Sequence, residues 1–66
     1  MITECFGSFY PYRKFYITDT SDISNIEYCI YGSSAVNTVN KDYWILQSDD
    51  KWHKFGTSET TDASWI

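Results

Sequence analysis

The sequence predicts an all-β fold, a small antiparallel meander or partly open barrel of four to six short strands. Three observations lead there. Short runs alternate apolar and polar residues with a period of two: Arg13–Thr18, Ile26–Tyr31 and Lys41–Gln47. Polar stretches rich in Ser, Thr, Asp and Asn separate them, and these side chains favour turns by bonding to nearby backbone. No helical 3.6-residue periodicity persists over ten residues.

Taken in order, residues 1–12 (MITECFGSFYPY) are apolar and aromatic but broken by Gly7 and Pro11. They read as an arm or as a first, irregular strand, with Tyr10 held extended by the proline after it. In RKFYIT, Phe15 and Ile17 point one way and Lys14 and Tyr16 the other. DTSDISN (19–25) is a loop with room for one helical turn around Ser21–Ile23. IEYCIY (26–31) reads as a strand with Ile26, Tyr28 and Ile30 on one face, and Gly32-Ser33-Ser34 ends it. AVNTV (35–39) is a short β-prone segment, and Asn40 is a turn. In KDYWILQ (41–47), Tyr43 and Ile45 share one face, and Trp44 and Leu46 share the other. A strand apolar on both faces is normally covered on both, by the curl of its own sheet or by a neighbouring subunit. SDDK then turns the chain into KWHKF, with Gly56 as the stop. The chain is expected to form one β domain over residues 1–56, including the arm at 1–12. Residues 57–66 form a polar tail ending in the apolar pair Trp65-Ile66, as a tether with a plug or as a last edge strand.

Composition narrows function. Sixty-six residues make one domain, and so short a chain hides only about 60% of the surface its unfolded form exposes. Aromatic residues make up 20% of it, with three Trp, six Tyr and four Phe. So many rings exceed what a small β-fold can hide, so some are expected to be covered by a partner. The net charge of −4 comes with scattered acids and no basic cluster beyond Arg13-Lys14, which argues against nucleic-acid binding. No apolar run is long enough to span a membrane. Met1 to Tyr10 has no basic start and an early Glu4, which is not a signal-peptide pattern. Cys5 and Cys29 are therefore expected as free thiols in a reducing compartment, although a bridge between them is conceivable on paper. With His53 the only histidine, zinc ligands are too few, and no cofactor is implied.

Each candidate site has a sharp and a plain reading. His53 is the only side chain whose ordinary pKa suits general acid–base work. A set of Ser48, His53 and Asp49 can be drawn, but only by residue type, and such sets are recognised by geometry. Asp49-Asp50 resembles a fragment of a calcium loop without the remaining ligands, and reads better as a hairpin turn. Trp44, Trp52 and Tyr43 suit a sugar-stacking platform or, on the plain reading, cross-strand packing. Phe6, Phe9, Tyr10, Tyr12, Phe15 and Tyr16 form a dense aromatic group that either docks on another protein or completes the chain's own core. The interaction residues singled out are Phe6, Phe9, Tyr10, Tyr12, Tyr16, Trp44, Trp52 and Trp65.

The stretch from Gly32 to Phe55 resembles a pattern in small head-, tail- and fibre-associated proteins of bacteriophages. There a Gly-Ser-x-Ala start leads through a spacer to an aromatic strand, a Ser-Asp-Gly-Lys-Trp turn and a short closing strand. Gly32, Ser33, Ala35, Tyr43, Trp44, Leu46, Ser48, Asp49, Lys51 and Trp52 match it. Asp50 stands where glycine is usual, which bears on the turn type because glycine serves positive φ. The resemblance implies a non-enzymatic virion component, made in the host cytoplasm and packed against itself or another virion protein, with a homotrimer as the favoured state. Two other functions suit the same composition: a carbohydrate- or receptor-binding module, and a small acidic inhibitor of a host enzyme or defence nuclease.

Overall fold

In a computed structural model, which describes residues 1–5 and 11–66, six short strands form one sheet whose spatial order follows the chain. The strands are β1 (Ile2–Glu4), β2 (Lys14–Ile17), β3 (Ser34–Asn37), β4 (Tyr43–Leu46), β5 (Lys51–Lys54) and β6 (Thr60–Asp62). The sheet is open and mixed. Four of its pairings are antiparallel, and β2–β3 is parallel. A parallel pair requires a crossover, and residues 18–33 provide it. Its first part is a 3₁₀ helix, η1, over Thr20–Asn25.

Local chemistry explains where η1 starts. Asp19 caps it by accepting from the Ser21 amide, and Asp22 reaches back to the Asp19 amide, closing a capping box. Asp22 also accepts from the amino group of Met1 at 2.7 Å, which ties β1 to the crossover. The helix turns Ile23 fully into the core.

The rest of the crossover departs from the sequence reading. Residues 26–31 are not a strand. Ile26 is buried, but Tyr28 is 76% exposed and sits at φ +59°, a conformation costly for a bulky residue. Arg13 supplies the reason. Its guanidinium grips the Glu4 carboxylate through two nitrogens at 2.8 and 2.7 Å, and donates to the carbonyls of Glu27 and Tyr28 at 3.1 and 3.2 Å. The carbonyls a strand would have used are thus spent on a side chain. Ser64 Oγ takes the Ile26 carbonyl in the same way. Gly32, at φ +97°, then turns the chain into β3.

The C-terminal residues join the sheet. Thr60–Asp62 pair with β5, Ala63 is buried, and Trp65 packs against the core. Residues 57–66 are therefore the edge of the domain, because their polar alternation matches a strand exposed on one side. At the opposite edge, Ile2–Glu4 is a strand paired with β2.

One face of the sheet carries the core: Phe15 and Ile17 from β2, Ala35, Trp44, Leu46 and Trp52, closed by Ile23, Ile26 and Ala63. η1 rests against both β2 and β6. Those strands lie four places apart, so the sheet curls around it. Asn37, also buried, binds the crossover to the next turn. Its Oδ1 accepts from the amides of Val39 and Asn40, and its Nδ2 reaches Thr20 Oγ1 at 3.5 Å. No disulfide joins Cys5 and Cys29. Burial pushes the Cys29 thiol up, which leaves it a poor nucleophile.

Two outcomes follow for stability. Asp50 holds φ +64° in the β4–β5 turn and accepts from the Tyr31 hydroxyl at 2.8 Å. Asp50→Ala should therefore cost about 1–2 kcal/mol in denaturant unfolding, whereas Asp50→Asn, which tolerates the left-handed region and keeps an acceptor, should cost far less. On the acid side, several carboxyls are held below their ordinary range: Glu4 by the Arg13 hydrogen bond, Asp19 by Ser21, and Asp22 by the Met1 ammonium. A lowered folded pKa adds stability above the unfolded value and loses it as pH falls through the folded one. The midpoint of urea unfolding should be flat above about pH 5 and fall below about pH 4, with Glu4→Gln showing a shallower fall.

Candidate functional site

Strand alternation leaves the outer face of the sheet to a different set of side chains. Lys14 and Tyr16 come from β2, Ser34 and Val36 from β3, Tyr43 and Ile45 from β4, and Lys51 and His53 from β5. Phe55 follows just after β5. The register aligns Tyr16, Val36 and Tyr43 in one row across three strands. Phe55 extends that row by donating its amide to the Tyr43 carbonyl at 2.7 Å. Its ring meets Tyr43 edge-on, with centroids 6.4 Å apart and planes at 82°. Tyr43, Ile45 and Phe55 line a shallow, wholly apolar hollow. Phe55 is 77% exposed.

The charges around this apolar centre are mostly matched within the chain. Lys51 meets Asp62 at 3.2 Å, and Lys54 meets Asp42 at 3.3 Å. His53 Nε2 stands 2.7 Å from Asp49 Oδ2. Asp49 is held below its ordinary pKa although desolvation, the largest single influence, acts the other way; the His53 bond and charge together with backbone amides outweigh it. Lys14 lies over the Tyr16 ring at 5.5 Å.

The structure separates the residues singled out from sequence. Phe6, Phe9 and Tyr10 lie outside the described residues. Tyr16 is on the outer face, at its β2 side. Tyr12 is exposed elsewhere and packs over Gly32, where a Cβ would stand 3.0 Å from its ring. Trp65 is partly buried against the core. Trp44 and Trp52 are corrected: both are 0% exposed and belong to the inner face. They are diagonal neighbours across the β4–β5 hairpin, so the plain cross-strand reading holds and a sugar platform built on them is ruled out.

Their burial overrides a polar cost. Among the described residues neither indole Nε1–H has a hydrogen-bond partner, a loss of about 1–3 kcal/mol each. Burying an indole of about 200–250 Å² gains roughly 5–6 kcal/mol, so the ring decides the placement.

Of the nominal Ser48–His53–Asp49 set, the turn brings His53 to Asp49, and Ser48 makes no bond to either. The Asp49 side chain caps the turn through the Lys51 amide at 3.2 Å, which is the plain hairpin reading of Asp49-Asp50. Among the described residues no three His, Cys, Asp or Glu side chains converge as metal ligands. No helix there is long and apolar enough to cross a membrane.

Val36, Ile45 and Phe55 are the members of the site that sequence reasoning did not single out. The pattern YWIL marks two apolar faces equally, and nothing local says which one the chain covers. The signal lay in the hairpin register: Trp44, Leu46 and Trp52 share a face, and three large residues outweigh Tyr43 and Ile45 in the competition for the inside.

Comparison with family models, with characterised proteins and with solved structures returns no match. The geometry itself therefore defines the class: a small, one-layer all-β domain whose second face is aromatic and covered by no described residue.

The burial assignments are testable by fluorescence. A neutral collisional quencher should reach Trp65 and leave Trp44 and Trp52 dark to it. Trp65→Phe should leave a blue-shifted emission that quenches only weakly; strong quenching in that variant would contradict the packing described.

Proposed function

We propose that this chain is a non-enzymatic structural protein that assembles with other protein through the outer face of its sheet. One observation carries the reading. The inner face of β4 is fully packed, while the outer face of the same strand offers Tyr43 and Ile45, with Phe55 beside them, and no described residue covers them. Apolar centres rimmed by polar residues are the anatomy of protein interfaces, and large exposed aromatics anchor them.

The resemblance of Gly32–Phe55 to phage head, tail and fibre proteins supports a virion as the setting, with the chain docked on a larger virion protein or on copies of itself. The matching of rim charges within the chain supports an apolar partner surface over a strongly charged one, which favours protein over nucleic acid. Burial of both platform tryptophans removes the main support for the carbohydrate reading.

The test uses purified particles. Mass spectrometry should find the chain at fixed stoichiometry, and Tyr43→Ser with Phe55→Ser should remove it while the far-ultraviolet circular dichroism stays unchanged. Retention of the double variant at the wild-type level would refute the face as the docking surface.

A further inference from the structure

We propose that residues 27–31 of the crossover form a latched element that opens while the sheet stays folded, with Arg13 as the latch. The inference is independent of the outer face and of what covers it.

Local preference and native conformation disagree in this segment. Residues 26–31, IEYCIY, alternate and are rich in β-branched and aromatic side chains, which suit extended backbone. The fold instead holds Tyr28 at φ +59° with its ring exposed. That conformation is strained for any residue with a Cβ, and an exposed ring returns little packing in exchange. Where local and global preferences conflict, competing arrangements come close in energy.

Side chains hold the segment in place of backbone pairing. Among the described residues no acceptor takes the backbone amides of residues 27–31. Arg13 Nη1 donates to the Glu27 and Tyr28 carbonyls, and the Tyr31 hydroxyl donates to Asp50. All three bonds are exposed, so water competes for them. The two ends are firmer. Ile26 is buried and its amide donates to the Ile23 carbonyl at 3.1 Å. Gly32, at φ +97°, donates its amide to the Leu46 carbonyl at 2.8 Å. These two residues are the hinges. A stretch with exposed bonds between buried anchors opens at a lower free energy than the whole domain.

Arg13 is the latch because it is fixed to the sheet. Its Nε and Nη2 grip Glu4 of β1, which leaves Nη1 to reach the segment. Cys29 reports on that contact. Its thiol lies 3.6 Å from the Glu27 carbonyl, the oxygen that Arg13 also takes, and it is partly buried against the core. Opening of the segment uncovers it.

Alkylation by iodoacetamide, followed at Cys29 by mass spectrometry, tests this. In the wild type the Cys29 rate should hold nearly constant at low urea and climb only near the global transition, because local opening exposes little surface. Tyr28→Gly removes the strain and should slow alkylation about threefold. Arg13→Met keeps an apolar stem over Phe15 and should speed it about tenfold. Charge by itself acts the other way. Burial raises the Cys29 thiol pKa and the Arg13 charge opposes that rise, so losing the cation leaves less thiolate to react. Shielding of Trp44 and Trp52 from a collisional quencher should persist in both variants. A wild-type rate that follows global unfolding from the lowest urea upward would overturn the latch. So would a rate unmoved by Tyr28→Gly, or one that is unchanged or slower in a folded Arg13→Met. If Arg13→Met does not fold, the urea series and Tyr28→Gly decide the matter.

Discussion

The structure depends on how two tryptophans share one side of a hairpin. Trp44 and Trp52 sit diagonally across β4 and β5, both sealed from solvent, and the curl of the sheet exists to enclose them. Each gives up a hydrogen bond at its indole nitrogen to be there. The same core is closed by Ile23 from η1, Ile26 from the crossover and Ala63 from the C-terminal residues, with Trp65 packed against it. A chain of this size has enough cover for one face of a sheet. Once the indoles claim it, the opposite face is left to Tyr16, Val36, Tyr43, Ile45 and Phe55.

The crossover carries most of the departures from regular structure, and one residue organises it. Arg13 is held over the Phe15 ring at 5.0 Å, joined to Glu4 on the edge strand, and bonded to two carbonyls of the returning loop. The bonds to Glu4 raise the guanidinium pKa further above its ordinary range, so the cation is permanent. It is this grip that holds Tyr28 in the left-handed region, with its ring projecting into solvent. The loop and the β4–β5 turn are joined by Tyr31 and Asp50, so the positive-φ positions Tyr28 and Asp50 are each braced by a side-chain contact from elsewhere in the fold.

The face that no described residue covers is where the proposed assembly rests. Its centre is apolar and its rim charges are matched, a combination suited to contact with protein. The parallel β2–β3 pair matters here as well. By sending the crossover over the inner face, it spends that long connection on the core, and no described residue is left to cover the outer face.

Much of this was legible in the residues alone, and the limits have a physical reason. Period-two alternation identified β2 and β4, because alternation is local and those strands bury one face each, while β3 showed only as a β-prone segment and β5 as the short strand after the polar SDDK turn. The loop at 19–25 and its helical turn were legible because Asp19 and Asp22 act on amides within three residues. By contrast, Ile26–Tyr31 alternates as a strand should, yet Arg13, distant in sequence, takes its carbonyls. Residues 57–66 were legible in both of their readings, and only a free edge on β5 chose between them. At the site, composition alone led to the expectation that some rings lie outside the core. Which rings these are could not be read from YWIL, since both of its faces are apolar. Only the tertiary fold decided it, through the register that aligned Trp52 with Trp44 and Leu46 and turned Tyr43, Ile45 and Phe55 outward.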